Sequence, residues 1–181
     1  MTLGTVLTSC DSAPSGSSSS QNVTVGTALD GGMQAEAEIA FEHARVGEEY
    51  WVSLPQTSNV SATPLTLEKA EITQVPEGLR IIGYRAVSAR DTDGHAMGVA
   101  SAGTDQVHDL EHARDHADRP VRVEADSVSD VYYLARLKVT GPVGADLTGC
   151  RYRYRQGDTE YRQDLPCVTR IRLGEPLEPE A

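Results

Sequence analysis

Residues 150–167 read Cys150-Arg-Tyr-Arg-Tyr-Arg-Gln-Gly-Asp-Thr-Glu-Tyr-Arg-Gln-Asp-Leu-Pro-Cys167, and this stretch specifies its own local structure closely. Strict alternation of Arg and Tyr predicts a β-strand with one apolar and one charged face. The Gly157-Asp158 pair predicts a two-residue hairpin turn with glycine first. In that register Tyr154 lies opposite Tyr161, and Cys150 lies opposite Leu165. The segment therefore predicts a β-hairpin.

The same register predicts a disulfide between Cys150 and Cys167. Cys167 is one same-face step beyond Leu165 and thus diagonal to Cys150. A bulge near Pro166, or a turn shifted by one residue, would alter the pairing but keep the sulfurs close. Such a bridge closes a short loop and stabilises the fold by roughly 3 kcal/mol. The alternative is two reduced, buried thiols; a metal site is disfavoured because neither cysteine has a second ligand at suitable spacing.

Period-two patterns also occur outside the hairpin. They predict strands over residues 33–41, 50–54, 79–87 and 131–139, in addition to 65–72. Within that last segment the apolar phase changes, which predicts a bulge or bend near Lys69. Seven or eight short strands joined by Gly, Pro, Asn and Asp turns favour an all-β sandwich.

The chain divides into three parts by composition. Residues 1–32 are rich in Ser, Gly and Thr and predict a flexible tether. Residues 33–174 carry the periodic patterns and have the size of one β-sandwich domain, which we expect to be monomeric. Residues 175–181 form an acidic tail interrupted by proline.

Composition excludes several classes of partner. The net charge is −11, from 16 basic and 27 acidic residues. Nucleic acid binding requires a basic footprint, and attraction to anionic lipids requires the same, so neither is expected. The fourteen arginines and two lysines are typical of a high-GC genome.

Three segments resemble a known family. They are Gly47-Glu-Glu-Tyr-Trp-Val-Ser-Leu54, Asn59-Val-Ser-Ala-Thr-Pro-Leu-Thr-Leu67 and Pro76-Glu-Gly-Leu-Arg-Ile-Ile-Gly83. Together with the late hairpin they are similar to an immunoglobulin-like accessory domain of actinobacterial exported proteins, over about residues 40–173. The resemblance implies a β-sandwich and no catalytic residues, since the matched motifs are structural.

The N-terminal Leu7-Thr8-Ser9-Cys10, followed by a Ser-rich run, resembles the lipobox of a bacterial lipoprotein. The resemblance implies that Cys10 is lipidated and that acyl chains alone hold the protein outside the cytoplasmic membrane. Only six residues precede Leu7, without Lys or Arg, whereas a secretory signal has a basic region and about 7–15 apolar residues. Two interpretations are open: a longer signal precedes Met1, or the match is a coincidence.

One histidine cluster is a candidate metal site. On an α-helix, His108, His112 and His116 would share one face with Glu111 and Asp115. Two further candidate ligands for Zn²⁺ or Cu²⁺ lie nearby in the chain, His95 and Met97. The alternative is a solvated polar loop, because only Val107 and Leu110 would hold such a helix against the protein.

The sequence carries no recognisable enzyme signature. Around Ser101 the glycine spacing is one residue too long for a nucleophile elbow, and no phosphate loop or dinucleotide fingerprint is present. We expect a non-enzymatic module without a cofactor, which binds or scaffolds an envelope protein or surface ligand. Metal binding by the histidine segment is the alternative.

Overall fold

A computed structural model describes residues 23–95, 98–104 and 108–176 of the 181-residue chain. Two sheets face each other across an apolar core, so the predicted all-β sandwich is confirmed. The elements of the described residues are, in chain order, β1 (Thr24–Val25), β2 (Leu29–Asp30), α1 (Gly32–Glu36), β3 (Glu38–Ala44), β4 (Glu49–Ser53), β5 (Ser58–Asn59), β6 (Leu65–Gln74), β7 (Leu79–Ser88), β8 (Val99–Ser101), α2 (His108–His112), β9 (Val121–Val123), β10 (Ser127–Val128), β11 (Val131–Val139), β12 (Leu147–Gln156) and β13 (Thr159–Leu173).

The strand order is that of an immunoglobulin-type sandwich. The first sheet runs β1-β13-β12-β6-β9, with β3 pairing in parallel with β13, and the second runs β7-β11-β4-β8. A small third sheet runs β10-β5-β2. Strands β6, β12 and β13 therefore occupy the positions C, F and G of that fold, while β4, β11 and β7 occupy B, E and D. With β3 these make the seven expected strands. The insertion between β7 and β11 carries β8, α2, β9 and β10.

The hairpin has the predicted register. Tyr154 pairs with Tyr161, and Cys150 pairs with Leu165. The disulfide between Cys150 and Cys167 is present, with Cα atoms 5.8 Å apart. The only register shift between these two strands lies between Thr148 and Cys150 rather than near Pro166. The bridge therefore joins neighbouring strands of one sheet, whereas the antibody disulfide joins the two sheets.

The two faces of the hairpin have opposite roles. Tyr152 and Tyr154 are fully buried, and the Tyr152 hydroxyl donates to the carbonyl of Pro55 at 2.7 Å. The outward arginines form ion pairs across strands, including Arg151 with Asp164 at 2.7 Å and Arg155 with Glu68 at 3.1 Å. Exposed pairs of this kind contribute about 0–1 kcal/mol each, so the core face supplies most of the stability.

The predicted bulge in β6 is also confirmed. Arg153 pairs with Lys69 and Tyr154 pairs with Leu67, which leaves Glu68 as the extra residue. The bulge changes the alternation by one, so Leu67 and Ala70 both face the core.

The predicted boundary at residue 33 was wrong, because ordered structure begins before it. Strands β1 and β2 lie inside the predicted tether, and β1 pairs in parallel with β13. Ala28 and Leu29 are buried, and the Ala28 N–H donates to the Tyr154 hydroxyl at 3.1 Å. Gly26 permits this approach, since a Cβ there would collide with the Tyr154 side chain. The domain thus begins at about residue 24; residues 1–22 and 177–181 lie outside the described part.

The prediction of one strand over residues 33–41 was wrong for residues 33–36 and correct from Glu38 onward. Residues Gly32–Glu36 form the short helix α1, and strand β3 begins only at Glu38. Asp30 caps the turn, because its Oδ1 accepts the Gly32 N–H at 2.7 Å while Gly32 adopts a φ of +55°. Ala and Glu favour a helix as readily as the alternating pattern favours a strand. The turn at Gly32, which requires a positive φ, therefore determines that the next residues form a helix.

No helix among the described residues has the length and apolar character needed to cross a membrane.

Candidate functional site

The outer face of the second sheet is covered rather than solvated. Trp51, Val87, Leu110, Tyr132 and Leu134 form a second buried apolar cluster there. The prediction of a single buried face for β11 was therefore incomplete, because α2 packs on the opposite face. The described residues between β8 and β9 thus form an additional layer on the sandwich.

Arg85 on β7 fastens this layer. Its Nη1 and Nη2 donate to the carbonyls of Glu111 and Ala113, at 2.5 and 2.6 Å. Its Nε lies 3.5 Å from the Asp115 carboxylate. These carbonyls lie at the end of α2, where they have few intrahelical donors. One guanidinium thus satisfies the end of the helix and holds it against the sheet.

Backbone contacts at Ala86 continue the attachment. The Ala86 N–H donates to Asp115 Oδ1 at 3.1 Å, and the Ala86 carbonyl accepts the His116 N–H at 2.7 Å. Because β7 is the edge strand of its sheet, these contacts cover part of that edge and protect it from pairing with another chain.

An open groove of about 490 Å³ lies between α2 and the sheet. Its lining consists of Trp51, Ile82, Gly83, Tyr84, Arg85, Gly103, Glu111, His112 and Arg136. We call this the Trp51 groove. Its central groups are the indole ring, two guanidinium groups and a carboxylate.

The polar groups of the Trp51 groove are held by each other. Glu111 Oε1 accepts the Trp51 indole N–H at 2.8 Å and the Gly103 N–H at 3.0 Å. The Trp51 hydrogen bond, with smaller contributions from Gly103 and Arg136, lowers the pKa of Glu111. Arg136 lies over the Trp51 ring, 5.5 Å from its centroid, and pairs with Glu49 at 2.8 Å. The groove is therefore preorganised, and its carboxylate remains ionised at neutral pH.

The predicted histidine cluster is only partly assembled. Helix α2 carries His108 and His112 but ends at His112, so His116 is not on the expected helical face. His95 is held elsewhere, against Gln34 and Tyr132. In the part of the chain that the structure describes, no group of three or more His, Cys, Asp or Glu residues fits a metal ion. The His108 side chain and Met97 are outside that part, so metal binding stays a prediction; Cys10 is outside it too.

His95 occupies a sheltered position beside the second cluster. Its Nδ1 lies 2.8 Å from Gln34 Nε2, and its ring meets Tyr132 edge-on with centroids 4.2 Å apart. Nδ1 accepts in this contact because the amide nitrogen is the donor. Burial lowers the pKa of His95 from 6.5 to about 4, so the ring is neutral at physiological pH.

We expect His95 to make the fold acid-sensitive. Its native pKa lies below the unfolded value, so the unfolded chain binds more protons between about pH 6.5 and 4. The stabilisation that neutral His95 provides is fully present above pH 6.5 and is lost as the pH falls from 6.5 to about 4. Because the ring is partly exposed, the loss is about 1–2 kcal/mol. Urea unfolding at pH values above and below the window, on wild type and His95→Gln, should show a smaller pH dependence in the variant; equal dependence would contradict the assignment.

The comparisons with known proteins give no family. No protein-family model and no curated protein matches this chain. The resemblance to actinobacterial exported proteins therefore has no support beyond its motifs and the fold.

Sequence reasoning missed the residues that matter most in the groove. The sequence pattern places Glu111 among the candidate metal ligands, yet its carboxylate accepts a hydrogen bond from the Trp51 indole. Arg85 and Arg136 occupy outward-facing positions of predicted strands. No local sequence pattern distinguishes them from other surface arginines. The one available signal was Trp51 itself, an outward-facing tryptophan on a predicted strand.

Proposed function

We propose that this protein is a lipid-anchored extracytoplasmic module that binds an envelope protein or surface ligand without catalysis. The Trp51 groove carries this proposal. Trp, Tyr and Arg are the residue types that contribute most to protein interfaces. Tyr84, Arg136 and the largely buried Trp51 line the groove beside the exposed Ile82.

The contacts within the groove favour binding over acid–base chemistry. A general acid or base works best with a pKa near the operating pH. Glu111 has the opposite character, because its hydrogen bonds hold its pKa low. Arg85 is occupied by two backbone carbonyls. Fixed and satisfied groups of this kind suit recognition of a complementary surface.

The disulfide supports the proposed compartment. Bridges such as Cys150–Cys167 persist in oxidising environments outside the cytoplasm and are rare inside it. Thirteen residues separate Cys10 from Thr24, where β1 begins. Even fully extended, such a segment spans at most about 45 Å. A lipidated Cys10 would therefore keep the sandwich close to the membrane surface.

The lipid anchor can be tested on the natural gene with its upstream sequence, expressed in a bacterial host. We expect the protein to partition into the detergent phase, with a mass that includes acyl chains on Cys10. The Cys10→Ser variant should move to the aqueous phase. Aqueous partition of the wild type, or an unmodified Cys10, would overturn the lipid anchor.

The binding surface can be tested separately by photo-crosslinking in the envelope. Ile82 lines the groove and Val75 lies outside it, and both side chains are 39% exposed. A photoreactive residue at position 82 should give a discrete adduct, while the same residue at 75 should not. Equal adducts at both positions, or none at 82, would contradict the groove as the binding surface.

A further inference from the structure

A narrow cavity of about 30 Å³ lies between the two sheets. Both sheets contribute to its apolar walls, including Val52 of β4, Ile72 of β6 and Val168 of β13. The short helix α1 also contributes, because Gln34 and the following Ala37 line the same space. We call this space the inter-sheet cavity. Helix α1 therefore covers one side of it.

Helix α1 depends on its neighbours for its position. It has five residues, Gly32–Glu36, and a helix of this length is not stable in water by itself. Ala35 is the one buried residue among these five. Two successive glycines, Gly31 and Gly32, precede the helix and give the backbone conformational freedom at that point. The few contacts that α1 makes with the sandwich therefore decide whether it stays in place.

The Gln34 side chain joins α1 to two other segments. Its Oε1 accepts the backbone N–H of Gln56 at 2.7 Å, and its Nε2 lies 2.8 Å from Nδ1 of His95. A backbone N–H is always a donor, so Gln56 fixes which end of the Gln34 amide carries the oxygen. The amide nitrogen must then donate to His95. The contact therefore requires a neutral His95 ring whose proton is on Nε2.

Protonation of His95 removes one of these two contacts. In the protonated ring both nitrogens are donors, so Nδ1 would face another donor, the Gln34 amide nitrogen. A flip of the Gln34 amide brings its oxygen to His95, but it turns the amide nitrogen toward the Gln56 N–H, which is also a donor. In either orientation one donor loses its acceptor, and α1 keeps only one contact through Gln34.

The surroundings of His95 do not compensate a positive charge. The titratable group packed against its ring is Tyr132 of β11, whose hydroxyl lies 3.0 Å from Thr92 Oγ1. Burial lowers the pKa of His95, and a backbone contact at Leu54 opposes this with a smaller effect. Among the described residues no carboxylate forms an ion pair with His95, including those of Glu36, Asp91 and Asp93. The ring therefore gains a proton more easily once α1 has moved away.

We propose that Gln34 and His95 form an acid-sensitive latch, which releases α1 from the inter-sheet cavity when His95 is protonated. Gly31 and Gly32 are the hinge of this movement. Release exposes the apolar lining of the cavity, while the sheets stay paired because α1 contributes no strand to them in the described residues. The latch is separate from the Trp51 groove and does not depend on the function proposed for it.

The test is amide hydrogen exchange of the full chain, followed by NMR at pH 7 and pH 5 and corrected for the intrinsic pH dependence of exchange. The amides of Ala35, Ala37 and Gln56 report on α1, because their hydrogen bonds lie within it or end on Gln34. We expect their protection to fall about tenfold at pH 5. Dilute urea should leave their protection unchanged, since local release exposes little surface, but should lower that of the Val139 amide, which reports global unfolding.

His95→Gln is the decisive variant. Its amide oxygen accepts from Gln34 but takes up no proton at pH 5, so the three α1 amides should have the same protection at both pH values. Gln34→Met removes both contacts and keeps an unbranched stem, so protection should be low at both pH values. The matched control is His43→Gln, which removes a histidine that donates to the Glu175 carbonyl, and it should respond to pH as the wild type does.

Three results would refute the latch. The first is equal protection of the α1 amides in the wild type at pH 7 and pH 5. The second is a fall of the same size in His95→Gln, which would assign the pH response to another group. The third is a urea dependence of the α1 amides equal to that of Val139, because α1 would then leave the cavity only when the whole domain unfolds.

Discussion

The Cys150→Ala/Cys167→Ala double variant is expected to lose about 3 kcal/mol of unfolding free energy relative to the oxidised wild type. The bridge spans a sequence separation of 17 residues and restricts the unfolded chain over that loop. Cys150 is buried beside β6, so the substitution also leaves a small cavity in the core. Both effects have the same sign. Urea denaturation should show a lower midpoint with a similar slope.

Two controls separate the bridge from the packing. Reduction of the wild type should reproduce most of the loss, because it opens the loop while keeping both sulfurs in place. Cys10→Ser should leave the midpoint unchanged, since Cys10 takes no part in the Cys150–Cys167 bridge. If the reduced wild type and the oxidised wild type unfold at the same urea concentration, the disulfide contributes nothing to stability.

The hairpin was predictable because three independent local signals agree on one register. Arg–Tyr alternation sets the faces, Gly157 sets the turn with a φ of +55°, and the two cysteines fall at bridging positions. The β6 bulge was predictable for a related reason, since a strand that changes its apolar phase and keeps one face buried must contain an extra residue. Such features depend on residues that are near each other in sequence.

The errors occur where local signals are ambiguous or where distant residues decide. Residues 33–37 satisfy both helical and strand periods, and the turn at Asp30 and Gly32 resolves the choice. The apolar residues of segment 24–30, Val25, Ala28 and Leu29, do not alternate and so do not suggest a strand, but Tyr154 provides a hydroxyl for the backbone of this segment. The stabilising residue lies outside the stabilised segment in both cases, so the sequence of that segment does not reveal the contact.

The histidine segment is the clearest case of long-range control. Val107 and Leu110 are its only large apolar residues. The sequence alone therefore allows either a metal-binding helix or a solvated loop. The structure packs its last part on the sheet through Arg85 and Trp51, which lie 26 and 60 residues from Glu111. The state of the Tyr133 hydroxyl is likewise a tertiary property, because it is buried without a hydrogen-bond partner among the described residues, whereas a buried tyrosine normally finds one.

Arg85→Met should release the layer formed by α2 and the residues that follow it. The substitution keeps much of the aliphatic stem but removes the donors to Glu111 and Ala113 and the ion pair with Asp115. Hydrogen bonds from a charged donor are worth about 1.5–3 kcal/mol each, and part of this is regained when the carbonyls reach water. We expect a net loss of about 2–4 kcal/mol for attachment of the layer.

Trp51 reports this release directly. It is the single tryptophan of the chain and is 5% exposed beneath the layer, with its indole N–H bound to Glu111. Detachment exposes the ring to water, so its fluorescence emission should shift to longer wavelength. The Ala113 and His116 amides, which donate to Asp109 and Ala86, should exchange hydrogen faster than core amides.

Matched substitutions distinguish loss of the clamp from loss of charge. Arg80→Met, at an exposed position of the same strand, should leave the emission of Trp51 unchanged. Arg85→Lys keeps the charge, but a compact ammonium group does not reproduce the two-pronged contact with both carbonyls, so an intermediate shift is expected. If Arg85→Met and Arg80→Met give the same emission and the same amide exchange, the clamp is not needed, and the packing of Leu110 together with the hydrogen bonds at Trp51 and Ala86 holds the layer. The Trp51 groove would then owe its shape to the second cluster rather than to the clamp, because α2 would keep its place without Arg85.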